Sequence, residues 1–121
     1  MDEKFFVPFK TALLLKKKGY NGICDYYYAP DKQLYFGVTR VSNDTLDYEN
    51  NGTIAAPTYH EVLDWLENKD IIIESTKRWV RGNRYAWFSD VHQYNGSIET
   101  FIDETREDAL NEAILKALEI L

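Results

Sequence analysis

Between Thr105 and Leu121, the residues Ala109, Leu110, Ala113, Ile114, Ala117, Leu118 and Leu121 recur at spacings of three and four. That rhythm places them on one face of an α-helix. Thr105 brings a hydroxyl that caps the first turn, and Asp108, three residues on, is the Asp counterpart of the capping-box glutamate. Glu107 and Asp108 also complement the positive end of the helix dipole. The small alanines let a sheet approach closely while Leu and Ile fill the gaps. A helix of this kind needs an apolar surface to lie on, so the rest of the chain must supply one.

The means are ample. Hydrophobic residues make up 45% and aromatic residues 15% of the 121 positions, enough for a sizeable core and too many for a disordered chain. A chain of this length fits one domain that buries about two-thirds of the surface its unfolded form exposes. Cys24 stands alone, so no internal disulfide forms and nothing points to an oxidising compartment. Met1 to Lys18 lacks the long apolar core and the cleavage site of a signal peptide. Apolar runs such as Ala12 to Leu15 are too short to cross a bilayer. The expected setting is cytoplasmic, with no membrane partner.

The net charge of −6 argues against broad nucleic-acid affinity, but the sign alternates along the chain. Residues 1–40 carry seven bases and four acids, and residues 41–70 one base and seven acids. Residues 71–98 carry four bases and two acids, and residues 99–121 two bases and seven acids. Solvated faces on different elements account for such alternation.

Phe5 to Lys18 reads as a first helix. Pro8 suits its first turn, and Gly19 followed by Tyr20 suits a Schellman ending in which Tyr20 packs back on Leu15. Phe9, Ala12 and Leu13 form its apolar face, with Leu14 or Leu15 at the margin. Two strands follow at Ile23–Tyr28 and Gln33–Val41, joined by Ala29-Pro30-Asp31-Lys32. Ser42 to Gly52 is a polar loop, long enough to be either mobile or a place where something binds. Thr58 opens a second helix with Glu61 completing the capping box, and Tyr59, Val62, Leu63 and Leu66 share its apolar face, with Trp65 beside it. Ile71 to Thr76 reads as a buried strand, and Gly82-Asn83 turns the chain into a strand at Arg84–Gln93. Asn95-Gly96 suits a type I′ turn leading to a strand at Ser97–Ile102. The order is α-β-β-α-β-β-β-α: an α+β fold with a small antiparallel sheet packed against helices. It forms a single domain over 1–121, made of an N-terminal helix and hairpin (5–41), the polar loop (42–52) and an α-β-β-β-α unit (58–121).

Few residues suggest chemistry. His60, His92 and Cys24 lack the close spacing of metal ligands, and surface roles suit both histidines. Cys24 in an apolar strand behaves as a small hydrophobe. Ser89, Asp90 and His92 have the residue types of a triad, but neighbours on one strand point to alternate faces. Carboxylates cluster at Asp44/Asp47/Glu49, Glu61/Asp64/Glu67 and Asp103/Glu104/Glu107/Asp108, which in so acidic a chain says little. Gly52, Gly82 and Gly96 stand singly in turns and build no phosphate loop. No catalytic residue, metal ligand or cofactor is therefore assigned.

One cluster stands apart. Lys77, Arg78, Arg81 and Arg84 interleave with Trp79, Tyr85 and Trp87. Cations for phosphate beside rings for bases is the composition of a nucleic-acid contact. The same residues also describe a solvated turn whose tryptophans pack inward beneath arginine stems.

Two resemblances add to this reading. From Thr58 onward the α-β-β-β-α order and the alanines at 109, 113 and 117 resemble the double-stranded-RNA-binding domain. In that family the loop between the first two strands enters a minor groove, a place that Lys77–Arg84 would take. Its phosphate clamp is a run of lysines opening the last helix, where this chain has Thr105-Arg106-Glu107-Asp108, and acids there repel phosphate. Over most of its length the chain, with "ALLLKKKGYNGICDYYY", "PTYHEVLDWLENKDIIIE" and "TREDALNEAILKAL", resembles a family of short proteins from Bacteroidetes phages and prophage-like elements. That likeness implies a phage or gut-bacterial origin and a cytosolic setting, and it brings no catalytic residue to carry over.

The expectation is a non-enzymatic, cytosolic protein-interaction protein of phage or mobile-element origin. Tyr26, Tyr28, Tyr35 and Trp87 are candidate anchors for an unknown protein partner or for a homodimer. The alternative is nucleic-acid binding through Lys77, Arg78, Trp79, Arg81 and Arg84. A small enzyme is the remote alternative, and it requires a concave pocket with convergent titratable groups.

Overall fold

The computed structural model describes residues 2–82 and 84–121, so Asn83, half of the expected Gly82-Asn83 turn, lies outside the described residues. The fold is α+β, with two antiparallel sheets of three strands each. Its elements run α1 (Phe9–Lys17), β1 (Cys24–Tyr28), β2 (Leu34–Val41), α2 (Tyr48–Asn51), β3 (Ile54–Ala55), α3 (Tyr59–Glu67), β4 (Ile71–Val80), β5 (Arg84–Gln93), β6 (Ile98–Asp103) and α4 (Arg106–Ile120). This is the expected order with a 3-10 turn at Glu3–Phe5, a short helix and a two-residue strand added. The chain divides into two compact units, Met1–Glu61 and Val62–Leu121.

In the first unit, the expected helix from Phe5 is shorter. Phe6 bridges to Thr58 and the Val7 amide donates to the Pro57 carbonyl at 3.1 Å, so the backbone there is extended. A residue before proline avoids helical geometry, and Pro8 becomes the N-cap rather than a first-turn residue. At the other end the Schellman ending forms: the Tyr20 amide donates to Leu15 O at 2.9 Å and the Gly19 amide to Lys16 O at 3.1 Å. Leu15 is fully buried together with Thr11 and Ala12, so it sits at the centre of the apolar face and not at its margin.

β1 is the central strand, between β2 and β3. The β3 pairing, Tyr27 with Ala55 and Tyr28 with Ile54, is too short to announce itself by alternation. A register shift separates Cys24↔Val41 from Tyr26↔Phe36. Gly37 belongs to the bulging stretch opposite, where a Cβ would lie 2.6 Å from the Thr39 carbonyl oxygen, so only glycine fits without movement. The stretch expected as a polar loop holds a one-turn helix, α2, whose N-cap Asp47 accepts from the Asn50 amide at 3.0 Å. Asn43 ties the same stretch down, donating to Tyr20 O at 2.8 Å and accepting from the Ala55 amide at 3.0 Å. The capping box of α3 forms as expected, with the Thr58 amide to Glu61 Oε1 at 2.9 Å and the Glu61 amide to Thr58 Oγ1 at 3.2 Å.

In the second unit, α4 lies across β4, β5 and β6. Ala109, Leu110, Ala113, Ile114, Ala117 and Leu118 are all buried, as their spacing requires, while Leu121 follows the helix and is exposed. Thr105 caps it, accepting from the Asp108 amide at 3.1 Å. The sheet is therefore covered by α4 on one face only. This overturns the expectation that Ile71–Ile73 form a buried run: Ile71 is buried, Ile73 half-buried and Ile72 exposed. Alternation along a one-sided antiparallel sheet wins over the apolar run. The Asn95-Gly96 turn also differs from type I′. The Gln93 amide bonds Ser97 O at 3.0 Å around a three-residue loop, with positive φ at Gly96 but not at Asn95. No helix among the described residues is long and apolar enough to cross a membrane.

Candidate functional site

β4 and β5 are ten residues each and pair from Ile71↔Gln93 to Val80↔Arg84. β6 pairs with β5 only as far as Trp87↔Asp103. Residues 78–80 and 84–86 thus form a two-stranded arm that runs on past the third strand. Lys77, Arg78 and Trp79 lie within β4, Arg81 lies in the turn, and Arg84 opens β5. The arm gathers the basic cluster read from the sequence. No acid occurs between Ser75 and Ser89.

Strand alternation divides these residues between two faces. On the side that α4 covers further down the sheet stand Lys77, Trp79, Tyr85 and Trp87. The register pairs Lys77 with Trp87 and Trp79 with Tyr85. The Trp79 and Tyr85 rings lie 3.8 Å apart at 30°, and Lys77 Nζ sits 4.5 Å from the Tyr85 ring centroid and 6.0 Å from that of Trp87. Lys77 thereby spends its charge on two ring faces. Trp79 is 63% exposed. The inward-packing alternative therefore does not hold for Trp79, while Trp87 is half-buried.

The other face holds Arg78, Val80, Arg84 and Ala86. Arg78 is engaged: Nη2 lies 3.5 Å from Asp90 Oδ2, Nε donates to Thr76 Oγ1 at 3.1 Å, and its carbon centre lies 4.7 Å from the Phe88 ring. Arg81 and Arg84 make no ion pair among the described residues. Along the arm, past the end of β6, an open depression of about 680 Å³ is lined by Val80, Arg84, Tyr85, Ala86, Ile102, Asp103 and Glu104. Carboxylates crowd here. Burial, a hydrogen bond with Asp103 and the charges of Asp103 and Asp108 push the Glu112 carboxyl above its ordinary range.

The aromatic anchors in the first unit are differently placed. Tyr28 is buried and its hydroxyl donates to Val7 O at 2.6 Å. Tyr26 is half-buried, 4.7 Å from the Phe6 ring and 5.2 Å from that of Phe36. Tyr35 remains exposed, its hydroxyl donating to Asp31 Oδ2 at 2.6 Å. Beside it on β2, Phe36 and Val38 are exposed, which no alternation in Leu34–Val41 announces, since Tyr35 and Phe36 are exposed in succession.

The chemistry-bearing residues do not converge. Cys24 is fully buried, and burial, with Glu61 next, raises its thiol to about 12, which keeps it protonated and unreactive at neutral pH. Its Sγ donates to Gly22 O at 3.6 Å. Ser89 is buried on the helix-covered face of the sheet opposite Ser75, and neither hydroxyl has a hydrogen-bond partner among the described residues. Asp90 and His92 emerge on the opposite face, so these three residues form no triad. His92 Nε2 lies 3.8 Å from Glu74 Oε2, too far for a hydrogen bond. His60 is exposed. Among the described residues, no three His, Cys, Asp or Glu side chains gather in a way that could hold a metal ion.

No family model matches the chain, and no curated protein or solved structure matches it.

Proposed function

We propose that this protein works by binding rather than by catalysis, and that the β4–β5 arm is the element it presents to an anionic macromolecule. The observation that carries this is the pairing of an outward Trp79 with two guanidiniums, Arg81 and Arg84, that make no ion pair among the described residues, on a strand pair that runs on past β6. A packed core explains none of these three side chains, and Trp and Arg are the residues that most often dominate binding surfaces. Interaction through a surface, in the cytoplasm of a phage-infected or prophage-bearing cell, is the setting that fits the sequence likeness.

Reversing the charge of the arm tests the reading. The double variant Arg81→Glu, Arg84→Glu is compared with the unmodified chain for retention of a poly-glutamate peptide and of an oligonucleotide at low salt. Loss of both, with an unchanged circular dichroism spectrum, is the expected result. Anion binding that survives the double reversal overturns the arm as the working element.

A further inference from the structure

We propose that the Trp79 side of the arm is a stacking platform for single-stranded nucleic acid, with Arg81 as its principal phosphate contact and Arg84 as a secondary one. This inference rests on the reading of the arm as an anion-binding element and names its ligand.

The Trp79 indole has one face against Tyr85 at 3.8 Å, and Tyr85 in turn has Lys77 over it at 4.5 Å. Backed by this stack, the indole is held outward, and its other side accounts for the 63% exposure. A flat ring fixed in advance, with one face open, suits a nucleobase, because every base has a π-face and stacking requires no particular sequence. A carboxylate-rich protein surface would engage the guanidiniums and leave the ring unused. A nucleotide uses both at once, base on ring and phosphate on guanidinium.

The geometry also ranks the cations. Lys77 and Arg78 are already engaged, the first by two rings and the second by Asp90. Arg81 sits in the turn next to Trp79 and Val80, whereas Arg84, opposite Val80 in the register, emerges on the face away from Trp79. A strand stacked on Trp79 therefore meets Arg81 first and reaches Arg84 only by passing over the turn. Asp103, opposite Trp87 in the register, stands on the Trp79 face toward α4, where it hydrogen-bonds Glu112, and with Glu104 it also lines the same depression as Arg84. Two backbones of a duplex would bring further phosphates to those carboxylates, and a single strand at the tip avoids them.

The test uses the full chain, fluorescein-labelled oligothymidylate of about twelve nucleotides, the matching duplex, and a poly-glutamate peptide of equal charge. Binding is followed by anisotropy at low and at physiological salt. Oligothymidylate should bind with a slope of log affinity against log salt of about −1.4, two phosphates at 0.7 each. Trp79→Ala should weaken it about tenfold while leaving poly-glutamate binding unchanged, and Trp79→Phe should restore most of the loss. Arg81→Ala should weaken binding more than Arg84→Ala. If Trp79→Ala leaves oligothymidylate binding intact, or the duplex binds more tightly than the single strand, the stacking platform is overturned. If oligothymidylate fails while poly-glutamate still binds through Arg81 and Arg84, this inference falls and the anion-binding reading stands. If neither anion binds, both fall.

Discussion

β1–β2 and β4–β5 are both hairpins crowded with aromatic side chains. In the first, β1 is flanked by strands on both sides, and Tyr28 is buried and edge-on to Phe9 of α1 at 5.6 Å. Its charges find partners too: Arg40 Nε lies 3.3 Å from Asp25 Oδ1, and Lys32 lies 5.6 Å from the Phe9 ring. In the second, the distal half runs past β6, and its outermost ring and two of its cations face water. An aromatic residue becomes a surface or a core according to whether a third strand or a helix closes over it. Ring count alone does not decide.

Truncating one ring in each hairpin should show the largest contrast. Tyr28→Ala removes a buried ring and is expected to lower stability by about 3–5 kcal/mol, as other large-to-small core changes do. Trp79→Ala removes a larger ring from an exposed site and should change stability by about 0.5 kcal/mol. Urea unfolding followed by circular dichroism reads both. Equal losses would mean that Trp79 is part of a core after all, and the contrast between the hairpins would collapse.

This contrast marks where the sequence was legible. The α4 face, the α3 capping box and the Schellman ending of α1 are local patterns, set within a few residues, and they could be read directly. What stayed hidden depends on partners distant in sequence. β3 exists because Ile54 and Ala55 pair with Tyr28 and Tyr27, and Phe6–Val7 are extended because Thr58 and Pro57 receive them. The residue types of the basic, aromatic arm were plain in the sequence. That Trp79 faces outward follows from where the covering helix α4 begins, at Arg106 after β6 has ended at Asp103, which no property of Lys77–Arg84 specifies.

A smaller change sharpens the same point within β1. Tyr28→Phe keeps the ring and deletes the hydroxyl that donates to the buried Val7 carbonyl. It should cost about 1–3 kcal/mol, the range for leaving a buried acceptor without its donor. A neutral result would show that the carbonyl has another donor and that ring packing alone secures the hairpin.

In the arm, Asp90→Asn should alter binding more than stability. Asp90 holds Arg78 at 3.5 Å and also accepts from Thr100 at 2.7 Å. Removing its charge releases a third cation, on the same face as Arg84, so the salt slope for oligothymidylate should steepen by up to about 0.7. An unchanged slope would mean that Arg78 stays on Phe88 and out of reach of phosphate.

The smallest effect concerns the carboxylates where the arm meets the body of its sheet. The Glu112 carboxyl is raised first by burial, then by its hydrogen bond with Asp103 and by the charges of Asp103 and Asp108. A carboxyl raised in the folded state binds its proton more tightly there than in the unfolded chain. The stability it contributes is complete below the unfolded value and is lost as pH rises through the raised folded value. At neutral pH the ionised Glu112 therefore opposes folding slightly, and solvent screening keeps the effect small because the side chain is only half-buried. Glu112→Gln removes the charge and keeps a group that can hydrogen-bond to Asp103. Its melting temperature should exceed that of the unmodified chain at neutral pH, and the difference should shrink as pH falls to about 4, where carboxyls protonate. A difference that is constant across that range would remove charge crowding as its cause. The case against a duplex reaching the base of the arm would then rest on Asp103 and Glu104 alone.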